Sequence, residues 1–179
     1  LDVTWTVANN GSVDLALHAQ RNTVFPELPR FGLRLFLPQE MSQVNYYGMG
    51  PMECYRDKHH AASHSSYTAT VWQLHEDYIR PQENGSHFDC DYVMLSGDAV
   101  RLTAVGTQPF SFNASHYTQE ELTRKAHNYE LEPCGSTVLC LDYAQNGIGS
   151  ESCGPRLLEQ YRLDDATFNF GLRLFPEKK

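Results

Sequence analysis

Regular alternation of apolar and polar residues is the feature of this sequence that most restricts its fold. In residues 3–7 every second side chain is apolar, and the pattern recurs in residues 13–17 and 31–37. Because successive side chains of a β-strand point to opposite faces, each segment is predicted to be a strand with one apolar face. Further strands are predicted at residues 44–47, 68–74, 88–94, 100–105, 137–141 and 168–175.

Turn residues separate these segments. Asn9, Asn10 and Gly11 form the first such signal, and residues 83–85 and 96–98 form two more. Many short strands punctuated by Gly, Pro and Asn indicate a β-sandwich. The alternation places Trp5 and Trp72 on apolar faces, so both are predicted to lie in the core.

One short helix is predicted near residues 119–127. Thr118 can cap its first turn, and Glu121, three residues later, is the expected capping-box partner. No internal repeat, low-complexity tract or linker interrupts the 179 residues, so a single domain is expected.

Charge and composition exclude several classes of function. The net charge of −8 repels phosphate backbones, so no nucleic-acid partner is expected. No apolar run approaches the roughly 20 residues of a membrane span. The five cysteines are odd in number and include no Cys-x-x-Cys, which argues against a zinc site or a disulfide framework and favours reduced thiols in a cytoplasmic protein.

The residues that could carry chemistry do not form a marked site. A glycosidase needs two carboxylates about 5–10 Å apart. Spacing marks no pair among the candidates Glu53, Asp57, Glu76, Asp77, Glu83 and Glu151.

Two other segments have simple structural interpretations. His60 and His64 would share one face of a helix, but the Ala and Ser residues around them favour an exposed loop over a metal site. Residues 48–51, GMGP, lack the spacing of a phosphate-binding loop, so a sharp turn after the 44–47 strand is predicted.

Four segments, in order, resemble motifs of the β-galactosidases of glycoside hydrolase family 2. That family's Gly-x-Gly-Pro-x-Glu-x-Tyr-x-Asp motif is matched by GMGPMECYRD at residues 48–57. Its Tyr-x-x-Pro-x-Glu-Asn-Gly motif is matched by YIRPQENG at residues 78–85. The third and fourth blocks are residues 112–118 with Glu121, Leu122 and His127, and Asp142 with the loop at residues 147–155.

The resemblance implies the last domain of a large enzyme, one that is sometimes encoded as a separate small subunit. We therefore expect an all-β, antiparallel super-sandwich similar to galactose mutarotases, spanning residues 1–179 as one domain. The N-terminal portion of the family domain is expected to be missing, which leaves the sandwich incomplete.

The family's two catalytic glutamates lie in a central TIM barrel, so no residue of this chain is expected to be catalytic or to bind a metal. The resemblance implies hydrolysis of terminal β-D-galactosides such as lactose by an oligomeric enzyme. The remainder of that enzyme, a TIM-barrel domain or large subunit, is the implied partner, and its Mg²⁺ and Na⁺ are bound mainly elsewhere.

The resemblance also carries one substrate contact. In some members the fourth block holds a Trp that forms a wall of the sugar site, and Cys153, after Ser152, stands at that position here. A cysteine gives a small polarizable contact without an aromatic surface for stacking. Ser152 and Cys153 are therefore predicted to line the sugar site with weaker packing.

Two alternative functions remain open from the sequence. A stand-alone aldose mutarotase or epimerase needs a His and a carboxylate as acid and base, for which His75 with Glu76, or His87 with Asp89, are candidates. A carbohydrate-binding module would use Trp5, Trp72 or the tyrosines as platforms for a sugar.

Overall fold

The computed structural model describes residues 1–148 and 155–179. Every strand pair in this part of the chain is antiparallel. The strands are β1 (Asp2–Val7), β2 (Val13–Gln20), β3 (Arg30–Pro38), β4 (Gln43–Gly50), β5 (Ser63–Thr70), β6 (Ser86–Ser96), β7 (Val100–Ser115), β8 (Ser136–Gln145) and β9 (Thr167–Lys178). The all-β antiparallel prediction is confirmed, and the arrangement is consistent with a β-sandwich.

The strands form one sheet that divides at β7. The sheet order is β1-β2-β9-β7-β6-β4-β5, and β8 and β3 branch from β7. The first half of β7 pairs with β9 up to Gly106 and Leu172, whereas its second half pairs with β8 from Ser111 and Asp142 onward. On its other edge β7 follows β6 along most of its length. We call this division of the sheet the fork.

A local irregularity in β7 produces the fork. Cys90 of β6 pairs with Phe110, but Tyr92, two residues on, pairs with Val105, so residues 106–109 of β7 loop out. Pro109 is tolerated in this long strand because residues 107–109 pair with none of the neighbouring strands. The strand therefore bends between the two halves that pair with β9 and β8.

The core lies where the two arms of the fork meet β6 and β7. Side chains from β6, β7 and β8 have no measurable exposure there, including Leu95, Phe112, Leu139 and Leu141. A close-packed interior of this kind fixes the position of each strand, since a one-residue slip would move these side chains to the opposite face.

The predicted helix is present but shorter than expected. Helix α1 spans Gln119–Arg124, and the Oγ1 atom of Thr118 accepts a hydrogen bond from the Glu121 N–H at 3.1 Å. The Glu121 carboxylate accepts from the Glu132 N–H and pairs with Lys125, rather than closing the capping box on Thr118. This anchor ends the helix before residue 127.

Both tryptophan predictions were wrong, because Trp5 and Trp72 are each 50% exposed. Strand β1 lies at the edge of the sheet, where nothing in the described residues covers its apolar face. Strand β5 ends at Thr70, and residues 71–74 form a 3-10 turn in which Thr70 and Gln73 cap each other. Trp72 therefore lies outside the sheet, against the His116 ring.

The sharp turn predicted at residues 48–51 was also wrong, because β4 continues through Gly50. The glycine at position 48 is needed for close packing against β6. A Cβ atom there would lie 2.3 Å from the Cys90 Sγ and 2.8 Å from its Cα. Since Cys90 is fully buried, it has no room to move away.

Replacing Gly48 with Ala should therefore lower the free energy of unfolding by about 1–3 kcal/mol, through overpacking between β4 and β6. Urea unfolding monitored by fluorescence measures this loss. Ser66→Ala, on the exposed neighbouring strand, is the control and should change stability by less than about 0.5 kcal/mol. Equal stability of the Gly48→Ala variant and the wild type would contradict the close approach.

Candidate functional site

The predicted substrate contacts Ser152 and Cys153 lie outside the described residues, as does Glu151. The structure does describe both ends of the segment that carries them. This segment belongs to the connection between β8 and β9, which are the two arms of the fork. The described ends of this connection, residues 146–148 and 155–166, therefore lie at the open end of the fork.

The first end of the segment is held by backbone hydrogen bonds. The Asn146 N–H donates to the Pro29 carbonyl at 2.9 Å, and the Asn146 Oδ1 accepts from the Leu163 N–H at 2.6 Å. Gly147 follows and lies against the Asp57 carboxylate so closely that a Cβ atom would overlap it. A larger residue at position 147 would therefore require the Asp57 side chain to move.

The second end returns to the same place. The Arg162 Nε donates to the Leu157 carbonyl at 3.0 Å, and Arg156 pairs with Glu27. The Leu28 N–H also donates to the carbonyl of the buried Leu163. Both ends thus rest on residues 26–29 and 162–163, which we call the loop base.

A buried carboxylate joins the first two motif segments. The Glu53 side chain is 5% exposed and accepts hydrogen bonds from Lys58 at 2.7 Å, Tyr55 at 3.3 Å and the Gly85 N–H at 3.0 Å. The Tyr78 hydroxyl donates a further short hydrogen bond to it. We call these five residues the Glu53 cluster.

Hydrogen bonding decides the ionisation of Glu53. Burial by itself would raise its pKa, but the hydrogen bonds from Lys58, Tyr78 and the Gly85 N–H outweigh burial and hold the pKa below its usual value. Glu53 is therefore an ionised structural carboxylate with its lone pairs occupied.

A second buried ionic group joins the second and fourth segments. Arg30 makes two hydrogen bonds to Asp142, at 3.2 and 2.6 Å, and an ion pair with Glu83 at 3.1 Å. Burial raises the pKa of both Asp142 and Glu83, and Arg30 opposes that rise. Asn113, in the third segment, donates to the Asn84 carbonyl.

The four motif segments are thus one connected hydrogen-bonded network beside the loop base. Sequence reasoning missed Arg30 and Lys58, which supply its cations. The sequence did contain one sign of such a cation. Asp142 is a charged residue at the end of an apolar strand, and a buried carboxylate requires a partner.

Two of the remaining candidate carboxylates, Glu76 and Asp77, line one cavity with Glu53 and Lys58. Glu76 and Asp77 are exposed in the connection after Leu74. The Oδ1 atom of Asp57 is buried beside Gly147 without a hydrogen bond from any described residue.

The histidines also lie in ordinary structural positions. His60 is in a turn and His64 in β5, so no helix brings them to one face. No group of three His, Cys, Asp or Glu side chains suitable for a metal is found within residues 1–148 and 155–179. None of the helices in these ranges has the length and hydropathy to cross a membrane.

The acid and base pairs considered for sugar anomerisation differ in access. His87 is 1% exposed, stacks on Phe112 and Tyr46, and has its pKa lowered to about 4 by burial. The His75 Nε2 lies 3.5 Å from the Asp77 Oδ1, and the His75 ring packs against Tyr117. A neutral, buried His87 cannot exchange a proton with a sugar in solution.

Replacing Glu53 with Gln should destabilise the protein by about 2–3 kcal/mol at pH 7, because an amide cannot accept from all four donors. The Glu53 pKa is lower in the folded chain than in the unfolded chain, so the stability it contributes is present above about pH 4.5 and is lost as the pH falls below that. The difference between wild type and variant should therefore shrink as the pH falls.

Urea unfolding from pH 7 to pH 3 measures this dependence. The exposed Glu76→Gln is the matched control and should follow the wild type throughout. A pH-independent difference for Glu53→Gln would contradict an ionised Glu53.

Comparison with known proteins identifies the same family that the four motif segments resemble. The family model described as "Beta galactosidase small chain" matches residues 1–174. The chain is 47% identical over 178 residues to a β-galactosidase of Actinobacillus pleuropneumoniae, covering 99% of the chain and 17% of that protein. It is 43% identical over 172 residues to a β-galactosidase of Staphylococcus xylosus, covering 96% of the chain and again 17% of the relative.

The chain thus spans about a sixth of the length of these relatives. The family model covers nearly the whole chain, and the four motif segments make one network in the structure. The chain belongs to the β-galactosidase small-chain family.

Proposed function

We propose that this chain is the non-catalytic end of a β-galactosidase that hydrolyses terminal β-D-galactosides such as lactose. Its role is to stabilise the enzyme and to bring Ser152 and Cys153 to a galactose site built mostly by the rest of the protein. The observation that carries the proposal is the loop base, where both ends of the segment are held beside the motif network. A loop on a rigid scaffold is the usual way of placing a binding residue.

The rest of the enzyme is the proposed partner, and the catalytic glutamates belong there. The relatives named β-galactosidase are about six times as long as the match to this chain. Glu53 and Glu83 are occupied by structural hydrogen bonds and ion pairs, which favours assigning hydrolysis to another domain. The Mg²⁺ and Na⁺ ions and the oligomer contacts are likewise proposed for other parts of the enzyme.

A cytoplasmic location is part of the same proposal. Cys54, Cys90, Cys134 and Cys140 are free thiols in the described structure. Reduced thiols are typical of cytoplasmic proteins.

The apolar face of β1 is the proposed contact with that partner. Val3, Trp5 and Val7 pair with Leu17, Leu15 and Val13, so their side chains extend the core-facing row of β2. In β1, however, the three are 46–72% exposed. An apolar row continuous with a core, yet uncovered, is typical of a surface that meets another part of a protein.

One observation supports the carbohydrate-binding alternative, and another argues against it. Trp5 and Trp72 are exposed enough to meet a sugar ring. The neighbours of Trp5 along its face are Val3 and Val7, which offer no hydrogen bonds to sugar hydroxyls. This surface therefore fits a protein contact better than a sugar platform.

Replacing Cys153 with Ala in the intact enzyme should raise KM for galactosides by about three- to tenfold, through loss of one small contact. Cys153→Trp adds an aromatic surface, so it should change KM for lactose and KM for an aryl galactoside by different factors. Steady-state kinetics on lactose and an aryl galactoside measure both effects.

The exposed Cys134→Ala is the matched control and should leave the kinetics unchanged. Unchanged KM values for both Cys153 variants on both substrates would sink the proposed sugar contact.

Replacing Trp5 with Lys in the intact enzyme should lower its melting temperature by several degrees, because a charge would be buried in the proposed contact. Thr4→Lys is the control, since Thr4 lies on the opposite, polar face of the same strand. Differential scanning calorimetry compares the two. Equal melting temperatures for both variants would show that the apolar face of β1 stays in solvent.

A further inference from the structure

A cavity of about 160 Å³ lies at the fork, and none of the Glu53 cluster lines it. It lies between the looped-out part of β7, the last residues of β8 and the connection that leads to β9. We call it the fork pocket and define it by six of its lining residues, Arg56, Asp89, Gln108, Tyr143, Gln145 and Asp165.

The backbone around the fork pocket has unused hydrogen-bonding capacity. The pairing of β7 with β8 ends at Asp142, and its pairing with β9 ends at Leu172. Residues 143–145, which line the pocket, therefore have a described strand neighbour on one side only. Backbone groups that face no neighbouring strand are typically satisfied by water or by a ligand.

Asp89 is held at the pocket in a costly conformation. Its φ of +54° is the only positive φ of a non-glycine residue in the described chain. It lies in the bulge of β6 between His87 and Cys90, opposite Ser111 of β7. Bulges of this kind re-aim side chains, and residues outside the common φ regions concentrate at binding sites. The bulge thus keeps a carboxylate at the pocket wall.

The polar side chains of the pocket retain free donors and acceptors. The Asp89 Oδ2 lies 4.0 Å from the His64 Nε2, and the Asp89 carboxylate has no hydrogen bond to a described residue. Arg56 makes one hydrogen bond to a described residue, the Arg162 carbonyl at 3.3 Å, which leaves most of its N–H groups unused. Gln108 has no hydrogen bond from its side chain within the described residues and sits on the looped-out segment.

An aromatic residue completes the wall. Tyr143 stacks on Phe168 with ring centroids 4.4 Å apart and an angle of 9° between the rings. Its hydroxyl donates to the Asp165 Oδ2 at 3.4 Å. These two contacts fix the position of the ring, so the pocket has a preformed apolar surface.

This combination specifies the chemistry of the ligand. Two carboxylates accept hydrogen bonds from hydroxyl groups, while Arg56 and Gln108 can donate them. The Gln145 carboxamide already donates to the Ser86 Oγ at 2.7 Å. The charges of Arg56, Asp89 and Asp165 disfavour an anion. The volume is below the range of drug-sized sites. We propose that the fork pocket binds one neutral monosaccharide or a polyol of similar size, at a site separate from the catalytic sugar site.

The proposal is tested on the intact enzyme with its catalytic site saturated by a tight competitive inhibitor. Saturation-transfer NMR with D-galactose and D-glucose as probes then reports only binding elsewhere. We expect the wild type to keep a saturable signal from at least one of the two sugars. Asp89→Asn combined with Gln108→Ala should weaken that binding by about tenfold or more. Asn is chosen because it tolerates a positive φ.

Asp98→Asn, in the exposed turn after β6, is the matched control and should keep the wild-type affinity. Melting temperatures of all variants show whether the fold is retained, and Asp165→Asn tests the pocket independently if the double variant fails to fold. Loss of the wild-type signal when inhibitor is added, or equal binding by the pocket variants and the wild type, would overturn the proposal. Because the readout is binding with the catalytic site blocked, it does not depend on the role of Cys153.

Discussion

The edge of one strand can pair with only one neighbour at each point along its length. Strand β7 is 16 residues long, and it uses one edge for β9 and then for β8. The bulged residues 106–109 separate the two halves, and the sheet divides there. Because β8 and β9 are consecutive in the chain, the described ends of the connection between them, residues 146–148 and 155–166, lie at the open end of the fork. The position of these two ends therefore follows from the pairing of β7.

Buried charge holds the region beside that connection together. Arg30 of β3 pairs with Asp142 of β8 and with Glu83 in the segment before β6. Nearby, Glu53 accepts hydrogen bonds from the Tyr78 hydroxyl and the Gly85 N–H. Buried ion pairs contribute little net stability, but breaking one leaves an uncompensated charge at a cost of about 3–5 kcal/mol. Such networks therefore tolerate few substitutions. This explains physically why four separate sequence segments have recognisable motifs.

The strands could be predicted from the sequence because period-two alternation reports directly on a half-buried sheet. The same alternation failed at Trp5, since it identifies a face without showing whether anything covers that face. It failed at residues 71–74 because Val71 and Leu74 are buried at the three-residue spacing of a 3-10 turn, which alternation over so short a stretch does not distinguish.

Less of the candidate site than of the fold could be predicted from the sequence. Strand β7 was predicted only to residue 105, because Gly106 and Pro109 interrupt its pattern at the fork. The occupied state of Glu53 depends on partners up to 32 positions away in the chain, which spacing cannot reveal. Cys153 was found through the family resemblance and not through any local pattern.

We propose that this chain completes a β-galactosidase without performing the hydrolysis. The most direct measurement is hydrolysis of an aryl β-D-galactoside by the isolated chain, by the remainder of the enzyme, and by the two mixed together. The account predicts no activity from the chain alone and a clear gain when it is added to the remainder. Galactoside hydrolysis by the isolated chain would contradict it.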